Sequence, residues 1–132
     1  VSFTIRNIKA LDDIGAAFDG PPGLEFRAAT KPLELEKGAL SYQSLPPGCR
    51  FPYGHSHETQ EEVYVFIRGS GRMKLDDEII ELAEWDAVRV GPGVWRGFEA
   101  GPDGLEVLVF GAPNLGDDPR GDVDGQRGWW AD

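Results

Sequence analysis

From residue 24 to residue 110, apolar and polar positions alternate with a period of two, the pattern of strands with one buried face. Residues 24–28 read as a short strand. Residues 39–45 read as a longer one, ended by Pro46-Pro47-Gly48. The strongest candidate is 62–67, Glu-Val-Tyr-Val-Phe-Ile, dense in β-branched and aromatic residues. Gly69-Ser70-Gly71 is expected to turn it into 72–75, and Asp76-Asp77 to make a hairpin into 78–82. Further strands are expected at 87–90, at 94–98 after Gly91-Pro92-Gly93, and at 105–110. Before residue 24, the alternating stretch 2–6 predicts an edge strand and 10–14 a short turn of helix. Asp19-Gly20-Pro21-Pro22-Gly23 is a break. No long 3.6-residue period occurs between these elements. Turn signals every ~8–12 residues predict an all-β sandwich or barrel.

The 132 residues suit one domain. The 18 glycines and 10 prolines favour short strands joined by turns. The segment 111–132 is expected to be an irregular tail, with Trp129-Trp130 docked on the barrel or on a partner subunit. The net charge of −10 argues against nucleic acid, whose phosphates need basic groups, and against anionic membrane surfaces. The carboxylates, including Asp117, Asp118, Asp122 and Asp124 near the end, read as a solvated surface. A single cysteine, Cys49, allows no intrachain disulfide and fits a reducing compartment. No apolar run reaches membrane-spanning length, and the first eight residues do not resemble a signal peptide, so a cytoplasmic location is expected.

The only two histidines are His55 and His57. In an extended strand, residues two apart share a face, so the two imidazoles form a two-point metal clamp. Glu62 follows five residues later at the head of the strongest strand, and a turn between would return it beside them. Two imidazoles and a carboxylate with open positions suit Fe, Mn, Ni or Zn. If Glu62 faces inward, so do Tyr64 and Phe66, which would line a cavity beside the site. Glu61 is the weaker alternative to Glu62. There is no phosphate-binding glycine loop, serine-nucleophile elbow or CxxC motif.

The string from Gly48 to Gly69 resembles the first motif of the cupin superfamily: a glycine, a spacer, H-x-H, a glutamate and a final glycine. Four residues separate His57 from Glu62, and six separate Glu62 from Gly69. The Gly48–His55 spacer is one residue longer than usual. Residues 85–96 resemble the second motif, with departures. Trp85 stands at its first glycine, Gly91 at its proline, Arg96 at its histidine and Ala100 at its asparagine, while Pro92-Gly93 keeps the turn. The resemblance covers about residues 39–110. It implies a double-stranded β-helix, or jelly roll, with metal ligands His55, His57 and Glu62 at the mouth. It also implies a small-molecule ligand and a homodimer.

Arg96 stands where a fourth ligand is usual, and a guanidinium cannot be one. Three readings stay open. In the first, a metal is held by three residues alone; in the second, Arg96 pairs with Glu62 through two parallel hydrogen bonds and replaces the metal; in the third, Arg96 holds an anionic substrate beside a bound metal. The corresponding functions are a metal-dependent enzyme, dioxygenase- or isomerase-like, acting on a small organic acid, and a non-catalytic binding or regulatory domain with a metal-free Arg96–Glu62 site.

Overall fold

The computed structural model describes residues 2–116 and 119–131; Asp117 and Asp118 of the acidic stretch lie outside them. Among the described residues, eight strands form one curled sheet: β1 (Glu25–Ala28), β2 (Ala39–Leu45), β3 (Tyr53–His57), β4 (Glu61–Leu75), β5 (Glu78–Leu82), β6 (Ala87–Val90), β7 (Arg96–Ala112) and β8 (Val123–Arg127). Every pairing is antiparallel. The path β1-β2-β7-β3-β8 carries β4 as a branch, which pairs with β5, β6 and β7. β7 touches β2, β3 and β4, and so closes the barrel around a single core. The expected all-β jelly-roll barrel is the observed one. No helix among the described residues is long and apolar enough to cross a membrane.

The period-two reading holds along β4. Glu62, Tyr64 and Phe66 are buried, and so is Met73 beyond them. Val107 and Val109 of β7 are buried on the same side. Full burial of a Phe or Met side chain contributes about 1.5–3 kcal/mol, which is why these positions fix which face of each strand is inside.

Two expected turns are instead bends within long strands. β4 runs through Gly69-Ser70-Gly71, with register shifts at Phe66/Arg68 and Gly69/Gly71. Gly69 lies at φ +77, and a Cβ there would fall 2.1 Å from the Gly104 carbonyl oxygen. The glycine thus bends the strand without leaving the ladder, as a bulge does. Likewise 96–98 of the expected 94–98 strand and 105–110 belong to one strand, β7, that passes through Gly101-Pro102-Asp103-Gly104, while Val94 and Trp95 lie in the loop before it.

The chain ends also differ from expectation. Residues 2–6 form no strand; Phe3 and Ile5 are exposed, because no sheet edge reaches them. The turn of helix expected at 10–14 is absent: residues 11–14 are irregular, and short 3₁₀ turns, Ile8–Ala10 and Gly15–Phe18, flank them. The tail is not wholly irregular: β8 pairs with β3 from Tyr53↔Arg127 to His57↔Val123. Its alternation is hidden because only Val123 and glycine punctuate a polar strand. Both tryptophans dock on the barrel. Trp129 packs against Gly54, where a Cβ would lie 2.3 Å from its ring, and stacks on Trp95 at 5.8 Å. Trp130 is buried, with Arg50 over its ring at 4.2 Å.

Candidate metal centre

Strand register assembles the site. On β3, His55 and His57 share a face, and His55 pairs directly with Arg96 at the start of β7. The loop before Arg96 is tied to β3 by Gly93 N–H, which donates to the His57 carbonyl at 2.8 Å. Glu62 is held from both sides, by Val90 of β6 and Gly111 of β7. The second motif thus delivers Arg96 beside the first.

Four side chains converge on one atom, Glu62 Oε1. The Tyr64 hydroxyl donates to it at 2.8 Å, and Arg96 Nη1 at 3.1 Å. His55 Nε2 lies 3.3 Å away and His57 Nε2 3.5 Å. Among the described residues, His55, His57 and Glu62 form a group whose ligand atoms all lie within 4.8 Å of one another. Bonds of ~2.0–2.2 Å to a common ion place neighbouring ligand atoms roughly 3.0–3.6 Å apart. Both histidine–Glu62 separations fall in that range.

His57 has a second partner that the sequence did not reveal. Its Nδ1 lies 3.1 Å from Asp122 Oδ2. Asp122 also accepts from the backbone N–H groups of Thr59, at 2.7 Å, and Gln60, at 3.2 Å. Asp122 holds the His57 ring from Nδ1 and leaves Nε2 facing Glu62, the orientation that an outer carboxylate gives a metal-binding histidine. Burial pushes the Asp122 carboxyl up, but these hydrogen bonds outweigh it and hold it below its ordinary range.

The same balance governs the centre. Burial opposes charge on Glu62, yet the contacts with His55 and His57 prevail, and its carboxyl sits well below the usual carboxylate range. Burial pushes His55 down, toward the neutral ring that binds metals, against the pull of Glu62. Tyr64 is raised well above an ordinary phenol, by burial first and by the Glu62 charge next, so it remains a donor.

Arg96 is fully buried. It makes one hydrogen bond to Glu62 rather than a parallel pair; Nη2 instead donates to the Gly91 carbonyl at 3.3 Å, and Nε has no partner. The second motif's Gly91 thereby accepts from Arg96, a bond that its backbone carbonyl supplies. Two cavities meet at His57 and Glu62. One, of about 670 Å³, has Tyr64 and Arg96 in its wall; the other, of about 680 Å³, opens between the N-terminal segment and the loop at Asn114. Phe66 is not in either wall: it points into the apolar core, where it is fully buried. The wall of the 670 Å³ cavity also includes Ser41, Gln43, Phe51 and Phe98. Strand alternation alone could have placed Ser41 and Gln43 on one face; nothing local marked Asp122, sixty-five residues from His57.

Comparison with known proteins agrees with this fold. The Cupin domain family matches residues 41–111, more than half of the chain, and the chain belongs to that family. Solved structures with the same fold include a cupin protein from Bacteroides fragilis (23% identity, 89% of this chain and 90% of that chain, TM-score 0.70). Oxalate decarboxylase from Bacillus subtilis matches at 21% identity and TM-score 0.76, over 96% of this chain but 33% of its own. The Streptomyces nucleoside dehydratase Pac13 matches at 13% identity and TM-score 0.70, over 93% of this chain and 90% of that chain. At these identities the likeness is one of fold. No curated protein matches in sequence.

Proposed function

We propose that this cupin-domain protein is a metal-dependent enzyme that holds a divalent ion of the iron, manganese, nickel or zinc type on His55, His57 and Glu62 and acts on a small organic acid. The observation that carries the reading is the convergence of three ligand atoms: His55 Nε2 and His57 Nε2 lie 3.3 and 3.5 Å from Glu62 Oε1, the spacing of donors around one ion. A divalent ion would be held by all three, with Asp122 orienting the His57 ring from Nδ1. Such an ion supplies Lewis acidity and open positions for a substrate oxygen.

The chain's own residues set the charge. Arg96 is the buried counter-charge of Glu62, 3.1 Å away. A dication and the guanidinium together outweigh the negative charges of Glu62 and Asp122, so the loaded pocket is positive inside an acidic protein. That polarity selects an anion. Tyr64 keeps its proton and fixes the Glu62 oxygen, so that the carboxylate stays aimed at the two rings. Arg96 orients the site through Glu62, since its side chain has no accessible surface.

The Arg96–Glu62 contact also favours a second reading, a metal-free domain that binds or senses a small molecule. The two are separated by His55→Ala and His57→Ala. Loss of both bound metal and turnover of small acids is expected. Turnover retained in a metal-free variant contradicts the enzyme reading. Under the second reading, Arg96→His creates metal affinity that the natural chain lacks.

A further inference from the structure

The wall of the 670 Å³ cavity is unusual in its chemistry. A run of rings leads through it toward Glu62. Phe26 and Phe18 are 4.9 Å apart, Phe18 and Phe51 5.2 Å, Phe51 and Phe98 5.4 Å, and Phe98 and Tyr64 6.1 Å. These rings come from the N-terminal 3₁₀ turn, β1, the segment before β3, β7 and β4, and the fold brings all five to one cavity. The companion cavity is different: apart from Phe26, its apolar wall is aliphatic, with Leu11, Ile14, Pro32, Val109 and Leu115. Both cavities share His57 and Glu62. The polar centre therefore sits at the junction of an aromatic and an aliphatic chamber.

We infer that the substrate of the proposed site is an aromatic carboxylic acid, with its carboxylate at the His55–His57–Glu62 centre and its ring in the chamber of Phe18, Phe51 and Phe98. The inference rests on the metal reading for the carboxylate end and on the ring wall for the other. Aromatic rings prefer tilted and offset contacts with other rings, beyond what area alone gives. The contacts in the wall are already tilted or offset, and the volume is of the size that encloses a small organic ligand. One polar pair faces the same chamber. Gln43 Nε2 donates to Ser41 Oγ at 3.1 Å, which leaves the Ser41 hydroxyl proton to donate to an oxygen substituent on the ring. The 680 Å³ chamber takes whatever aliphatic part the acid carries past the centre.

The test is calorimetric binding of benzoate, phenylacetate, cyclohexanecarboxylate, benzyl alcohol and acetate, to metal-loaded and metal-stripped protein. Benzoate and phenylacetate are expected to bind roughly fivefold more tightly than cyclohexanecarboxylate, which has the same charge and similar size but no π face. Their ring protons should shift upfield in NMR spectra on binding. Phe51→Leu should erase the fivefold preference while leaving acetate unchanged; Phe18→Leu, on a surface turn, is the second variant should the first fail to fold. Equal affinity for benzoate and cyclohexanecarboxylate, or a preference unchanged in both variants, overturns the inference. If the aromatic preference survives but acids bind no more tightly than benzyl alcohol with metal present, the metal reading alone fails and the ring chamber stands.

Discussion

Two carboxylates in this barrel are each met by arginine, and they are held in opposite ways. Glu99 is saturated. Arg50 reaches its Oε2 with Nε at 2.9 Å and Nη2 at 2.7 Å, and Arg72 reaches its Oε1 with Nε at 3.1 Å and Nη2 at 2.7 Å. Trp130 covers the pair of guanidiniums and its carbonyl accepts from Arg50 at 2.6 Å. Glu62 has one arginine contact, through a single nitrogen, and two imidazoles at distances too long for good hydrogen bonds. The first arrangement fills every lone pair with a donor and locks the tail to the sheet. The second leaves room among three ligand atoms. The difference separates a structural clamp from the centre proposed to hold an ion.

The largest expected effect is at the open carboxylate. His57→Ala removes a ligand and the Asp122 anchor together, and bound metal should fall to background in elemental mass spectrometry, with the fold intact by circular dichroism. A variant that keeps its metal would place the ion elsewhere and break the contrast. Next is the clamp. Trp130→Ala removes a buried ring that covers two guanidiniums and should cost about 3 kcal/mol in urea unfolding, with metal content unchanged. Asp122→Asn sharpens the comparison from the metal side. Loss of the charge at His57 Nδ1 should weaken metal affinity about tenfold to hundredfold in competition with a chelator, because such outer partners orient and strengthen the ligand. Affinity equal to wild type would mean that β8 serves the fold only.

The smallest effect is a pH dependence at Glu99. Burial raises its carboxyl, but the hydrogen bonds of Arg72 and Arg50 outweigh this and hold it below the ordinary range. A depressed folded-state value stabilises the fold above the unfolded value of ~4.5, and that contribution fades as pH falls through the folded one. Melting curves of wild type should therefore lose more stability below that point than those of Glu99→Gln. Identical slopes would show that the clamp contributes no charge-dependent stability.

The grouping of His55, His57 and Glu62 and most strand faces were legible in the sequence because both are local. H-x-H puts His55 and His57 on one face, and alternation puts Glu62 and Tyr64 inward whatever the rest of the chain does. The same alternation put Phe66 inward too, but inward means cavity near the mouth and core one step further along, and periodicity cannot tell the two apart. Gly69 to Gly71 reads as a turn because glycine in strands usually ends them. Here the close approach of Gly104 needs glycine to bend the strand and keep it paired. Arg96 was placed by its offset in the second motif, yet its single bond to Glu62 depends on a competing acceptor, the Gly91 carbonyl, that no pattern encodes. Asp122 looked like one more solvated carboxylate of an acidic tail. Only the pairing of β8 with β3 brings it to His57.

The most direct test of the account is the metal content of untagged protein, purified without chelator and then dialysed against each of iron, manganese, nickel and zinc. Near-stoichiometric binding of one of them, abolished in His55→Ala, is the predicted result and makes Arg96 a counter-charge to a working centre. Absence of bound metal under every condition would contradict it, and would mean that the guanidinium on Glu62 has taken the ion's place.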